Sequence, residues 1–159
     1  MIFQFYPSLR TRGFSLLELL IVISIMALLG AAGAGFYRNF VKNVEVESIT
    51  KVLAGDLRTA RSKAMIGEEG LKWGAHVVNS GAGSTQYYEL FSTATNYAAS
   101  TVVSTTTLPF GVAFSAPAAG ASKDIIFTRI SGTTTPETIT VVSEGSTKSI
   151  VITSIGAIN

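Results

Sequence analysis

The sequence predicts an α+β protein: a long N-terminal helix, apolar in its first half and amphipathic in its second, packed on a small antiparallel β-sheet head. Three observations carry that expectation. Residues 14–36 form an apolar run with one ionisable side chain, Glu18, and about 20 helical residues suffice to cross a hydrocarbon core. Apolar residues then recur at steps of three and four, with no proline between Pro7 and Pro109, as in a helix with one buried face. Beyond Gly70, short runs rich in β-branched and aromatic residues alternate with Gly, Ser, Thr and Asn clusters, which is how strands and turns read.

A chain of 159 residues holds one ordinary domain rather than two. Charged residues make up 14% and hydrophobic ones 47%, whereas a soluble domain carries about 25% charge. Part of the chain therefore belongs outside water. There is no cysteine, which excludes disulfides and thiolate metal sites and leaves the compartment open. The sequence pI is about 9.0, but the basic excess is local. Of twelve basic and ten acidic side chains, removing Arg10 and Arg12 leaves ten of each. Beyond Ala64 there are four basic and six acidic residues, which weighs against a large phosphate-binding face and a nucleic-acid partner.

In chain order, residues 1–13 read as a short leader. Its two arginines precede the apolar run, and positive charge there favours keeping that end in the cytoplasm. Residues 14–36 are apolar on all sides, as in a lipid-embedded or bundle-buried helix. Glu18 is costly in such a run, by about 2.5–3.5 kcal/mol at a membrane helix centre and less near an interface. A secretory signal peptide is the competing reading, with Ala32-Gly33-Ala34 as its cleavage site. Glu18 would interrupt its apolar region, and the helical pattern continues past it. Across residues 37–66, Val46, Ile49, Leu53, Leu57, Ala60 and Ala64 form one stripe, with Lys51, Arg58, Arg61 and Lys63 on other faces. The whole reads as one helix over about residues 14–65, roughly 80 Å long, with Gly67 as its stop.

Residues 67–159 form the head. Strands are expected at 71–78, 87–91, 112–114, 124–128, 138–142 and 149–153, with a possible short one at 101–103 inside an otherwise loop-like Ser/Thr/Ala segment. Glu144-Gly145-Ser146 reads as a hairpin turn. The amphipathic stripe is the natural cover for this sheet.

Gly13-Phe14-Ser15-Leu16-Leu17-Glu18-Leu19-Leu20-Ile21-Val22 resembles the processing segment of type IV pilins and type II secretion pseudopilins, over about residues 10–34. The resemblance implies that a prepilin peptidase cuts between Gly13 and Phe14 and methylates the new amine of Phe14. It also implies that Glu18 meets the N-terminal amine of a neighbouring subunit. Pairing offsets part of the cost of two charges in an apolar medium. Leu57-Arg58-Thr59-Ala60-Arg61-Ser62-Lys63-Ala64, Trp73-Gly74 and Ile155-Gly156-Ala157-Ile158 resemble H-type minor pseudopilins and FimT-like minor pilins, which carry a β-rich head. The chain departs from many pilins in having Gly35 where they have proline. Gly30, Gly33 and Gly35 mark a weak helical stretch, each glycine costing about 1 kcal/mol against alanine. They read as a segment that melts on assembly, or as small residues that let neighbouring helices approach.

The resemblance implies a structural subunit, a minor one, of a pilus-like or pseudopilus filament. The expected partners are the prepilin peptidase, other pilin or pseudopilin subunits, the inner-membrane assembly platform and, before assembly, lipid. The expected location is the cytoplasmic (inner) membrane, single-pass with the N-terminus cytoplasmic and the head exported, then a periplasmic or extracellular filament. No enzyme, cofactor or metal is expected. His76 is the sole histidine, Gly81-Ala82-Gly83-Ser84 lacks the lysine of a phosphate loop, and Asp124, Glu137 and Glu144 lack calcium-ligand spacing. Two alternatives remain: a DNA-binding minor pilin of an uptake pilus, using Lys72, Lys123, Arg129 and Lys148, and a Sec-exported β-rich binding protein. Mass spectrometry of the mature N-terminus separates the last from the filament reading: a chain starting at methylated Phe14 is expected, and one starting near Gly35 would identify a signal peptide.

Overall fold

The computed structural model describes residues 13–159; Arg10, Arg12 and the rest of the leader ahead of Gly13 lie outside them. The helix α1 spans Leu16–Ile66, two residues inside the expected start. The described residues fall into two compact units, divided between Arg38 and Asn39.

In the first unit the helix is apolar on every side. From Leu16 to Leu29 the large apolar side chains are all between 44 and 81% exposed. An 18-residue window of α1 has a mean hydropathy of 2.4, long and apolar enough to cross a membrane by length and composition. The helix is uninterrupted through residues 30–35.

In the second unit the expected stripe is buried. Val46, Leu53, Leu57, Ala60 and Ala64 are at most 1% exposed, with Ile49 packed against them. Gly67 ends the helix in the left-handed region, φ 69°, where glycine meets no Cβ penalty. Its N–H donates to the Ala64 carbonyl at 3.1 Å, which also accepts from the Ile130 N–H at 3.1 Å. The strands are β1 (Lys72–Val78), β2 (Tyr87–Thr93), β3 (Ser100–Thr107), β4 (Ala113–Ala116), β5 (Ser122–Phe127), β6 (Glu137–Ser143) and β7 (Ser146–Ile152).

They make two antiparallel sheets rather than one, in the orders β3-β2-β1-β5 and β4-β6-β7. Trp73, Ala75, Val77, Tyr88, Ile125 and Phe127 of the first share one core with Phe114, Ile139, Val141, Ile150 and Ile152 of the second and with the helix stripe. Alternation along each strand set the inward residues, but nothing in that alternation says which strands join which sheet. The 100–107 segment, read as mostly loop, is a full strand. Its threonines are β-branched and suit a pleated backbone, while an edge position lets both faces stay wet. The β6–β7 hairpin turns at Glu144-Gly145 as expected, with Gly145 at φ 76°.

Polar ties fix the helix to the sheets. The Tyr88 hydroxyl donates to Asp56 Oδ2 at 2.7 Å, and Arg58 and Arg61 donate to the Ile158 and Ile155 carbonyls, each at 3.0 Å. Lys63 pairs with Glu68 at 2.7 Å and lies 4.2 Å over the Trp73 ring.

Two glycines test this packing in opposite directions. A Cβ on Gly74 would meet the Ile125 carbonyl oxygen and the Phe91 ring, so Gly74→Ala is expected to destabilise the head by about 1–3 kcal/mol. A Cβ on Gly55, inside α1, meets nothing within 4 Å, and Gly55→Ala is expected to stabilise it by about 0.5–1 kcal/mol. Thermal unfolding followed by circular dichroism measures both.

Candidate processing and assembly segment

The segment begins with three residues outside the helix, Gly13, Phe14 and Ser15. Gly13 is exposed, has no atom within 4 Å of where a Cβ would sit, and Phe14 is 80% exposed. The Gly13–Phe14 peptide bond thus lies in exposed, non-helical backbone.

Ser15 starts the helix. Its Oγ accepts from the Glu18 N–H at 3.1 Å, and its carbonyl accepts from the Leu19 N–H at 3.1 Å. Ser15 is therefore the N-cap and Glu18 the third helical residue, the spacing of a capping box. The Ser-x-x-Glu pattern was legible in the sequence, yet Glu18 reads there as a costly acid and an intersubunit partner rather than as part of a cap. The first turn supplies a local reason for a carboxylate, since unpaired amides and the helix dipole favour negative charge at that end. Only the serine half of the box is made: among the described residues, the Glu18 carboxylate has no hydrogen-bond or ion-pair partner. It remains available to a group from outside.

Gly30, Gly33 and Gly35 are helical and have open space where a Cβ would be. Ser24 Oγ donates to the Leu20 carbonyl at 2.8 Å, which satisfies the one hydroxyl among residues 16–36.

The head gathers a polar row that sequence reading missed. On the sheet face turned from α1, Thr105, Glu89, His76 and Asp124 stand in register across β3, β2, β1 and β5. His76 Nδ1 lies 2.5 Å from Asp124 Oδ1. The Tyr97 ring stacks on His76 at 3.7 Å and meets Phe91 edge-on at 5.1 Å, while its hydroxyl donates to Glu89. The hydrogen bond to Glu89, with burial second, pushes the Tyr97 hydroxyl up to about 12. Pairing partners across strands were not readable without the register. His76 is thus a strand residue held under Tyr97, as its sequence context suggested.

The other sequence candidates separate. Lys123 pairs with Glu137 at 2.6 Å, and Arg129 donates to the Gly70 carbonyl. Lys72 stands at one end of β1, whose other end faces Lys123, and Lys148 is in the second sheet. The 81–84 loop lines an open cavity with residues 108–113, and no charged side chain lines it. Among the described residues no three His, Asp or Glu side chains gather as metal ligands.

Residues 9–34 match the prokaryotic N-terminal methylation motif. That match supports a type IV pilin-like, prepilin-type N-terminal segment, and with the apolar helix it points to membrane anchoring before assembly. The match covers this segment and not the head. No curated protein and no solved structure matches the chain.

The neutral Tyr97 hydroxyl, favoured in the fold, contributes stability below pH 10 that is lost as pH rises towards about 12. Tyr97→Phe is therefore expected to flatten the decline of head stability over that window relative to the parent, measured by thermal unfolding across pH.

Proposed function

We propose that the chain is a structural, minor subunit of a type IV pilus-like or type II secretion pseudopilus filament. A prepilin peptidase cuts between Gly13 and Phe14 and methylates the Phe14 amine. Before assembly, residues 14–36 lie in the inner membrane with the N-terminus cytoplasmic and the head exported. An inner-membrane platform then draws the helix from lipid into contact with other subunits. The Glu18 carboxylate pairs with the Phe14 amine of a neighbour, which sets the axial register. Residues 30–35, weakened by Gly30, Gly33 and Gly35, are where the helix loosens on assembly. The H-type or FimT-like character rests on short matches in the head.

The observation that carries this reading is a methylation motif whose one carboxylate has no partner among the described residues, one turn past an exposed Gly-Phe junction. A single charge in an apolar run calls for a counter-charge, and cleavage creates one at Phe14.

Glu18→Ala is expected to be cleaved at Gly13 as efficiently as the parent but to be lost from sheared, sedimented filaments. Gly13→Leu is expected to stay uncleaved in the membrane fraction. Normal filament incorporation of Glu18→Ala would refute the charge pair.

A further inference from the structure

A membrane anchor limits how far the domain behind it can stand from the bilayer. The apolar run ends at Phe36, and α1 continues from it through Lys42 without a linker. Six helical residues span about 9 Å, while headgroups add about 5–7 Å on each side of a hydrocarbon core. Whatever the tilt of the helix, Lys42 therefore stands within a few ångströms of the headgroup layer. Phe36, Tyr37 and Phe40, all well exposed, fall where aromatic side chains gather at membrane surfaces.

Lys42 ties one loop of the head to that level. Its Nζ donates to the Phe110 carbonyl at 3.0 Å and pairs with Glu45 at 2.8 Å. Phe110 is 98% exposed, more than any other large apolar side chain among the described residues. A scattered apolar residue on a surface needs no explanation, but the surroundings of this one are of a single kind. Residues 77–88 and 90–122 contain no Asp, Glu, Lys, Arg or His. The loop that holds Phe110 and the 81–86 loop across the open cavity from it are thus both uncharged. The far end of α1 differs: Glu68 and Glu69 follow Gly67 there, and Arg129 donates to the Gly70 carbonyl. One acid does border the Phe110 loop. Ser143 Oγ donates to the Gly111 carbonyl at 2.7 Å, and the next residue, Glu144, is exposed, so it stays among hydrated headgroups.

We infer that the 108–111 loop docks on the surface of the bilayer that holds residues 14–36, with the Phe110 ring in its interfacial layer. An aromatic ring on an uncharged loop suits that layer, and the short tie through Lys42 keeps the loop within reach of it. The inference rests on the membrane anchoring of residues 14–36. It adds a second contact with lipid, made by the head, which is released when the helix is drawn into a filament.

The absence of native cysteine lets a single probe report. Pro109→Cys, exposed and next to Phe110, is labelled with the fluorophore NBD in the full chain. Ile155→Cys serves as the control; it is exposed, and its carbonyl accepts from Arg61, about 28 Å further along α1 than Lys42. Each is reconstituted in vesicles of phosphatidylethanolamine and phosphatidylglycerol, diluted to single chains. Lipid with a spin-labelled headgroup is expected to quench the probe at position 109 several-fold more than the probe at position 155. Adding Phe110→Asp to Pro109→Cys is expected to lower the quenching to the control level, whereas Phe110→Trp should retain it. Thermal unfolding of each variant checks that the head is unaltered. Equal quenching at the two positions, in a chain that resists carbonate extraction, would overturn this inference alone. A chain that carbonate releases would overturn the anchoring with it. Quenching that Phe110→Asp leaves unchanged would also sink the inference, as would a probe at 109 shielded only in vesicles crowded with chains, which would assign the loop to a neighbouring subunit.

Discussion

Apolar surface without an intrachain partner is the constraint from which the rest follows. Burying such surface is worth about 25 cal/mol per Å², and the large side chains from Leu16 to Leu29 leave much of theirs uncovered within the chain. That half of α1 presents an apolar surface of the kind that lipid or other helices bury. The stripe from Val46 to Ala64 meets the same physics differently, because two sheets cover it, with Ile49 alone left partly exposed. One helix thus carries two demands for burial, and the described residues satisfy only the second.

The start of the helix handles charge with the same economy. Ser15 satisfies one orphan amide through its hydroxyl, leaving the Glu18 carboxylate near the positive end of the helix dipole but without a bonded partner among the described residues. The dipole makes a carboxylate tolerable there. It does not neutralise it. A capping role and an intersubunit role are therefore compatible: the first concerns the Glu18 amide, the second its side chain.

In the head, the face turned from the helix is organised by polar contacts rather than by burial alone. His76, Asp124, Glu89 and Tyr97 form a linked set over the sheet, with Phe91 filling the space above Gly74. These contacts tie β1, β2 and β5 to the short segment after β2. At the edge of the same sheet the pattern ends in an uncharged strand, so polar linkage gives way to open backbone within one sheet.

The sequence by itself determined the class of the fold, the helix and its stop at Gly67, the buried stripe, the hairpin at Glu144-Gly145 and the Gly13–Phe14–Glu18 segment. Each is encoded locally, by periodicity over a few turns, by a residue suited to positive φ, or by a short motif. The Ser15 cap was equally local and is carried by the Ser-x-x-Glu spacing. Tertiary structure alone decided what depends on partners far away in the chain. Strands β1, β2, β3 and β5 close one sheet and β4, β6 and β7 another, because strand pairing is set by contacts between segments and not within them. For the same reason His76 meets Asp124 48 residues on, the candidate basic residues separate, and a threonine-rich stretch that looks like loop becomes an edge strand once β2 is there to pair with it.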